Sequence, residues 1–339
     1  MARQWPGNGH VIANTKGEGM ELVVIILNYR TPQCTIQCLE SLARERANGL
    51  TLRVVLVDNA SGDDSTACLS HAITHHQWSD WVILLPQPLN LGFSGGNNAG
   101  IRHALNHGSQ SEYILLLNSD TMVHPGCLTA SLARMREAPR IGALSCMVRN
   151  PDSSVQNVCR RFPRPDLETF RAIGLPHRYP KLFGWADLDD PKWNRETTAR
   201  EVDWIGGAFM LLRADVLKAI GGLDETFFFY GEDVALCHEI RKRGWRIFFD
   251  PSGEITHLGG GSSDASRLME RRKLTLVWRA RIQVQRKCYG TLSALWMRWL
   301  YAVSVSLNLC SLFVKSQRGT FAWGRTSRDL SVLLNLHKE

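Results

Sequence analysis

The chain has 339 residues, 44% hydrophobic and 21% charged, the composition of a protein that buries a core, which excludes a disordered or fibrous chain. Its formal charge of +8 suits anionic partners such as nucleotides, nucleic acid or an anionic membrane surface, without choosing among them. The nine cysteines include no Cys-x-x-Cys spacing, so they read as buried thiols rather than a zinc array and suit a reducing, cytoplasmic compartment.

Residues 1–20 are polar, with no apolar core of a secretory signal, and are expected to form a flexible leader. Leu22 to Leu27 is a continuous apolar run of the kind found in a strand buried on both faces, and it ends in the polar tip Asn28-Tyr29-Arg30. A helix is expected from Pro32 to about Glu45. A second strand, Leu52 to Val57, is tipped by Asp58-Asn59, and Ser61 to Asp64 supplies caps for a second helix. Trp81 to Leu85 predicts the third strand, followed by a glycine-bearing loop from Asn90 to Asn98 and a helix to about Asn106. Tyr113 to Leu117 predicts the fourth, tipped by Asn118-Ser119-Asp120. Strand alternating with helix four times implies a mostly parallel sheet flanked by helices, with all four carboxyl ends along one edge, where ligands collect in such folds.

Beyond Asp120 the pattern is looser. Ile141 to Met147 predicts a strand, and 150–200 reads as long loops and short helices facing a substrate. Val202 to Leu212 is expected as one extended segment, followed by helices at Ala214–Ile220 and Glu232–Arg243 and a strand at Trp245–Phe249. After the loop Gly259-Gly260-Gly261-Ser262, helix is expected from about Arg267 onward. Residues 21–265 are expected to form one α/β unit, in which the regular strand–helix alternation ends at about 125 and a looser part runs from about 126. Residues 266–339 are expected to be basic amphipathic helices.

Several residues carry possible chemistry. Asp58 can accept from a base edge or ribose hydroxyl, or can serve as an Asx turn or cap. Gly92, Gly95 and Gly96 either let backbone approach a ligand or form a turn. Asp120 is a hard oxygen ligand suited to magnesium or manganese against a diphosphate. His257 is either a further ligand from a distant segment or a structural histidine. The run Phe227-Phe228-Phe229-Tyr230-Gly231 delivers Glu232 and Asp233 to a helix start. Both complement the helix dipole there, and one can act as a base with its pKa raised by the apolar wall. Adjacent helical residues diverge by about 100°, so only one of the two is expected to face a reacting atom.

Val24-Ile25-Ile26-Leu27-Asn28-Tyr29, Val57-Asp58-Asn59-Ala60-Ser61, Asn90 through Asn97, Asn118-Ser119-Asp120 and Gly231-Glu232-Asp233 with Gly244-Trp245 resemble the family 2 glycosyltransferases of the GT-A fold, and most of all their rhamnosyltransferase-like branch. The resemblance covers roughly 21–265 and implies inverting, metal-dependent transfer from a nucleotide-sugar donor to a glycan or lipid-linked acceptor in cell-surface polysaccharide synthesis. Rhamnose from dTDP-rhamnose is the expected donor; a UDP-hexose or UDP-N-acetylhexosamine donor and a non-catalytic glycan-binding role are the alternatives. By this likeness Asn28, Tyr29, Arg30, Asp58, Asn59, Asn90, Gly92, Phe93, Gly95, Asn98, Asn118 and Ser119 surround the donor. Asp120 and His257 approach Mg2+ or Mn2+, Asp233 is the base and Glu232 its companion. Asn118 stands where many members carry Asp, which leaves one fewer charge for the metal.

The C-terminal segment interleaves Arg279, Arg281, Arg286, Lys287 and Arg298 with Trp278, Leu292, Leu295 and Trp296. Such helices suit peripheral contact with an anionic membrane at its inner face, or pack on the catalytic unit with arginines outward. The uncharged run Trp299–Val314 is 16 residues, short of the roughly 20 that span a bilayer. No helix-turn-helix, zinc-finger or base-stacking motif supports a nucleic-acid partner.

Overall fold

The computed structural model describes residues 22–106, 111–189, 192–195, 198–259 and 267–317. The expected leader and most of the glycine loop at 259–262 lie outside these residues.

The first half alternates as its apolar runs predict: β1 (Leu22–Asn28), α1 (Pro32–Ala47), β2 (Leu52–Asp58), α2 (Ser65–His75), β3 (Val82–Pro86), α3 (Gly92–Asn106) and β4 (Tyr113–Asn118). Next come β5 (Thr121–Val123), α4 (Cys127–Glu137) and β6 (Ile141–Arg149). An irregular segment holds β7 (Cys159–Arg160), α5 (Pro165–Ala172), α6 (Leu175–Arg178), α7 (Pro180–Phe183), α8 (Lys192–Arg195) and β8 (Arg200–Glu201). The chain continues through β9 (Trp204–Ile205), β10 (Phe209–Arg213), α9 (Ala214–Ile220), α10 (Glu232–Lys242), β11 (Arg246–His257), α11 (Arg267–Tyr289) and α12 (Thr291–Gln317).

Among the described residues nine strands form one sheet in the order β3-β2-β1-β4-β10-β6-β11-β5, with β8 on β11. β1, β2, β3 and β4 are mutually parallel, β10 runs antiparallel to β4 and β6, and β11 returns parallel to β6. The reversed β10 leaves the carboxyl ends of β4, β6 and β11 at the same edge as those of β1 and β2. β1 sits centrally with helices on both sides, so Leu22, Val24, Ile25 and Ile26 have no exposed surface, as a strand covered on both faces requires.

Three expectations are corrected. The third tip is not a glycine loop up to Asn98, because α3 begins at Gly92 and Gly95 and Gly96 are helical. A Cβ on Gly96 would lie 2.4 Å from Leu27 Cδ1, so this glycine allows α3 to close on β1. The segment 202–212 is two strands: β9 pairs with β7 in a separate ribbon, and Gly206-Gly207 redirects the chain into β10. The expected strand at 245–249 runs on to His257 through a register shift between Asp250 and Glu254. At the C-terminus, Gly290 at φ 94° breaks the helix into α11 and α12, which pack through Trp278, Ile282, Met297, Leu300 and Tyr301.

Candidate active site

The first three strand tips are tied to one another by amide and carboxylate side chains. Asn28 Nδ2 donates to Asp58 Oδ1 at 2.7 Å, Ser61 Oγ donates to the same oxygen at 2.6 Å, and Thr66 Oγ1 donates to Oδ2 at 3.0 Å. Asn59 Nδ2 donates to Asn90 Oδ1 and to the Gly92 carbonyl, both at 3.1 Å, while its Oδ1 accepts from Leu91 N. Asn98 binds the 223–225 turn, giving Nδ2 to the Leu223 carbonyl at 2.9 Å and taking Leu223 N on Oδ1 at 2.9 Å. Asn28, Asp58, Asn59, Gly92, Gly95 and Asn98 are therefore buried braces of the edge. Tyr29, Arg30, Asn90, Phe93, Asn118, Ser119 and Asp120 retain exposed surface on it. Arg30 is held over the Tyr29 ring, and its Nε donates to the Ser61 carbonyl at 2.8 Å.

The fourth tip meets β11 by strand pairing. Thr121, the residue after Asp120, pairs with His257 in the antiparallel β5–β11 register, and Leu258 N donates to the Asp120 carbonyl at 2.8 Å. His257 Nε2 consequently lies 3.1 Å from Asp120 Oδ1 and 3.4 Å from Asn118 Nδ2. Gln156 Oε1 stands 2.8 Å from the other ring nitrogen. With Gln156 accepting from Nδ1–H, a neutral ring turns its Nε2 lone pair toward the carboxylate. Two acceptors then face one another, which a cation or a proton between them satisfies. Asp120 and His257 keep 15% and 17% of their side-chain surface exposed. No cluster of three or more His, Cys, Asp or Glu suited to a metal occurs among the described residues. A hard oxygen and an imidazole at an open edge fit Mg2+ or Mn2+ completed by phosphates and water.

The acids after the aromatic run are separated by the helix start. Gly231, at φ 91°, caps α10, and a Cβ there would lie 2.9 Å from Val284 Cγ2 on α11. Asp233 lines a cavity of about 280 Å³ bounded also by Tyr230, Trp204, Arg160 and Val284, whereas Glu232 is not among the residues of its wall. Burial pushes the Asp233 carboxyl up to about 6, against the favourable N–H groups of Val234 and Gly207 and the charge of Arg160. Burial first, and then the Asp233 charge, push Glu232 up to about 8; its Oε2 has no partner among the described residues. The aromatic run is fastened to the third tip, with Phe93 N donating to the Phe228 carbonyl at 2.8 Å and the Phe93 ring edge-on to Phe229.

Three contributors carried no readable signal in sequence. Gln156, which faces the His257 ring, lies in an irregular segment. Arg160 meets Asp189 at 2.6 Å and covers Trp204, and no periodicity pointed to it. Gly207, whose N–H reaches Asp233, stood in a run read as plain strand.

The fold is that of the GT-A glycosyltransferases, and comparison with known proteins agrees. The family model described as glycosyltransferase like family 2 matches residues 20–279, and the chain belongs to that family. It is 30% identical over 249 residues to the N-acetylglucosaminyl-diphospho-decaprenol L-rhamnosyltransferase of Mycobacterium tuberculosis, covering 71% of this chain and 77% of that one. It is 29% identical over 227 residues to a low-salt glycan biosynthesis hexosyltransferase of Haloferax volcanii, covering 67% and 64%. Among solved structures, a mannosyltransferase of Pyrobaculum calidifontis in complex with GDP-mannose and Mn2+ superposes with TM-score 0.54 at 15% identity, over 95% of this chain and 89% of that one. The protein is a family 2 glycosyltransferase of glycan or polysaccharide synthesis.

Proposed function

We propose that the protein is an inverting rhamnosyltransferase that moves rhamnose from dTDP-rhamnose to a hydroxyl of a lipid-linked glycan. The observation that carries the reading is Asp233 on the cavity wall, at the end of a loop pinned to the nucleotide-side tips through Phe93 and Phe228. Its raised pKa suits a carboxylate that accepts a proton near neutrality. Asp233 takes the proton of the acceptor hydroxyl as that oxygen forms its bond to the anomeric carbon. The bond to the diphosphate breaks on the opposite face, so one displacement inverts the centre. The polar tips position the donor, and positioning supplies a large part of the rate. Asp120 and His257 would hold Mg2+ or Mn2+, which when bound neutralises charge on the departing diphosphate. The identity to the mycobacterial enzyme supports rhamnose as the sugar and a diphosphate-linked N-acetylglucosamine as the acceptor.

Peripheral contact with an anionic membrane accompanies this reading. α12 exposes Leu292 at 83%, Leu295 at 55% and Trp299 at 54%, with Arg298 beside them. No helix among the described residues is long and apolar enough to cross a membrane.

A panel of nucleotide-sugars tested by thermal shift with and without manganese tests the donor assignment, because a ligand that binds only the folded state raises its apparent stability. dTDP-rhamnose is expected to give the largest, metal-enhanced shift. A larger shift with a UDP-hexose would replace it as donor, and no shift with any donor would overturn the transferase reading.

A further inference from the structure

The cavity beside Asp233 has a charge pattern that proton removal does not use. Arg160, Arg161, Arg171 and Arg281 line it together with Glu168 and Asp189. Counting Asp233, four guanidiniums face three carboxylates. Arg160 is matched by Asp189 at 2.6 Å, and Arg281 lies beside the buried Glu168. Arg161 stacks on Trp193 with its charge 4.6 Å from the ring centre. Arg171, on the last turn of α5, makes no side-chain hydrogen bond or ion pair among the described residues. It and Arg281, which hydrogen-bonds to the Tyr301 hydroxyl, line the same cavity, one from α5 and the other from α11.

A half-buried guanidinium with no carboxylate of its own, as at Arg171, is stabilised when an anion enters the cavity beside it, and a low dielectric strengthens that attraction. Guanidinium forks match phosphate oxygens bidentately. The remaining wall is suited to a sugar, with the rings of Trp204 and Tyr230 beside Pro163, Val277 and Val284. A volume of about 280 Å³ holds one hexose ring and an attached phosphate. Two residues past Arg171 the surface turns apolar, with Ile173 61% exposed and Leu182 and Trp185 beyond it. α12 packs on α5 here, Trp296 Nε1 donating to Thr169 Oγ1 at 2.9 Å. From Asp233 outward the features run carboxylate, aromatic wall, arginine pair and apolar surface.

Building on the transferase reading above, we propose that this cavity is the acceptor site and that Arg171 and Arg281 bind the diphosphate of a lipid-linked glycan primer whose sugar hydroxyl faces Asp233. Arginine at these two places selects primers that carry an anion next to the sugar. α11, which supplies Val277, Arg281 and Val284 to the wall, is thus part of the acceptor site and not only a surface appendage.

The test compares two acceptors on the full chain: N-acetylglucosamine joined through diphosphate to a short alkyl chain, and the same sugar as a neutral alkyl glycoside. The ratio of kcat/KM for the two is the readout. The unaltered protein is expected to favour the diphosphate ester at least tenfold. Arg171→Gln should lower that ratio at least tenfold, chiefly through KM, and Arg171→Lys should restore part of it. Arg281→Gln provides a second probe, and a retained thermal shift with donor establishes that each variant is folded. A ratio near one in the unaltered protein, or a ratio unmoved by Arg171→Gln, overturns the proposal. Inorganic diphosphate competing with the ester as tightly as the ester binds, at every donor concentration, would assign the cavity to a free anion and also overturn it. These failures leave transfer to the glycoside intact; absence of transfer to both acceptors, with no donor turnover, would instead remove the transferase reading itself.

Discussion

The Gly207 backbone N–H lies close enough to the Asp233 carboxylate to favour its charged form. The next carbonyl along, that of Ala208, accepts from Asn118 N at 3.1 Å. One reversal of the chain before β10 thereby links the acid at the helix start to the tip that ends in Asp120. Residues 207 and 208 thus bring the proposed proton acceptor near the strand end that carries the proposed metal ligand. A base and a leaving-group site must lie on opposite faces of one anomeric carbon, and this placement serves that requirement.

Asp233→Asn should abolish the base while keeping shape. The expected loss in kcat is about 10²–10⁴-fold, the usual contribution of a positioned general base. Donor binding, read by thermal shift, should survive. The unaltered enzyme should also lose kcat/KM as pH falls below about 6, where the raised Asp233 pKa brings protonation of the base. A variant that still turned over, or a flat acid limb, would assign the proton to another group.

Glu232 gives a stability prediction of opposite character. It is 6% exposed, and its folded pKa, like that of Asp233, stands above its ordinary value. The folded state therefore binds more protons, and stability should rise as pH falls from about 8 toward about 4, the reverse of an ion-paired acid. Glu232→Gln removes a buried charge with no ion partner and should raise Tm at about pH 9 more than at about pH 5. Each kcal/mol recovered corresponds to about 2–4 °C in a chain of this order of size. An equal shift at both pH values would show that Glu232 does not titrate in this window.

Gln156→Leu tests the alignment of His257. The amide faces Nδ1 at 2.8 Å and so sets which ring nitrogen points at Asp120. Loss of such an orienting partner typically costs about 10–100-fold in metal affinity or activity. Manganese titration of donor turnover should show a weakened metal response in Gln156→Leu and a larger loss in Asp120→Ala. An unchanged response in both would place the cation elsewhere.

Gly96→Ala probes the packing of α3 on β1. The new methyl would meet Leu27 Cδ1 at 2.4 Å, and overpacking of this kind costs about 1–3 kcal/mol. Thermal melts should therefore show a loss of several degrees. An unchanged Tm would mean that the helix shifts freely and that the glycine is not needed for closure.

Much of the frame was legible because β1, β4 and β2 beyond Arg53 are covered on both faces and therefore read as apolar runs ending in polar tips. The pairing of Asp120 with His257 was legible only as two candidates. Their contact depends on the antiparallel β5–β11 register, a relation across more than a hundred residues that no local pattern encodes. Gly95 and Gly96 were misplaced for a physical reason. A glycine that admits a ligand and one that admits a neighbouring side chain look the same in sequence, and only the close approach of Leu91 to Gly95 and of Leu27 to Gly96 separates them. Gln156, Arg160 and Arg171 were not identified because 150–200 has no repeating burial pattern; its residues are positioned by what they pack against.

The C-terminal hairpin supplies the last prediction. Trp296 and Trp299 stack at 4.8 Å on the outer face of α12, and Leu292 and Leu295 extend that face, while Trp278 and Tyr301 close the inner one. An amphipathic helix with tryptophans at its boundary and arginine alongside binds anionic bilayers by burying the apolar face and by charge attraction. The full chain should cosediment with vesicles containing an anionic phospholipid at low ionic strength. Binding should weaken as salt shortens the screening length, which is about 10 Å at 0.1 M. Leu292→Asp combined with Leu295→Asp should abolish the binding and leave the donor-induced thermal shift in place. Absence of binding at low salt by the unaltered protein would mean that the face is covered by something other than lipid.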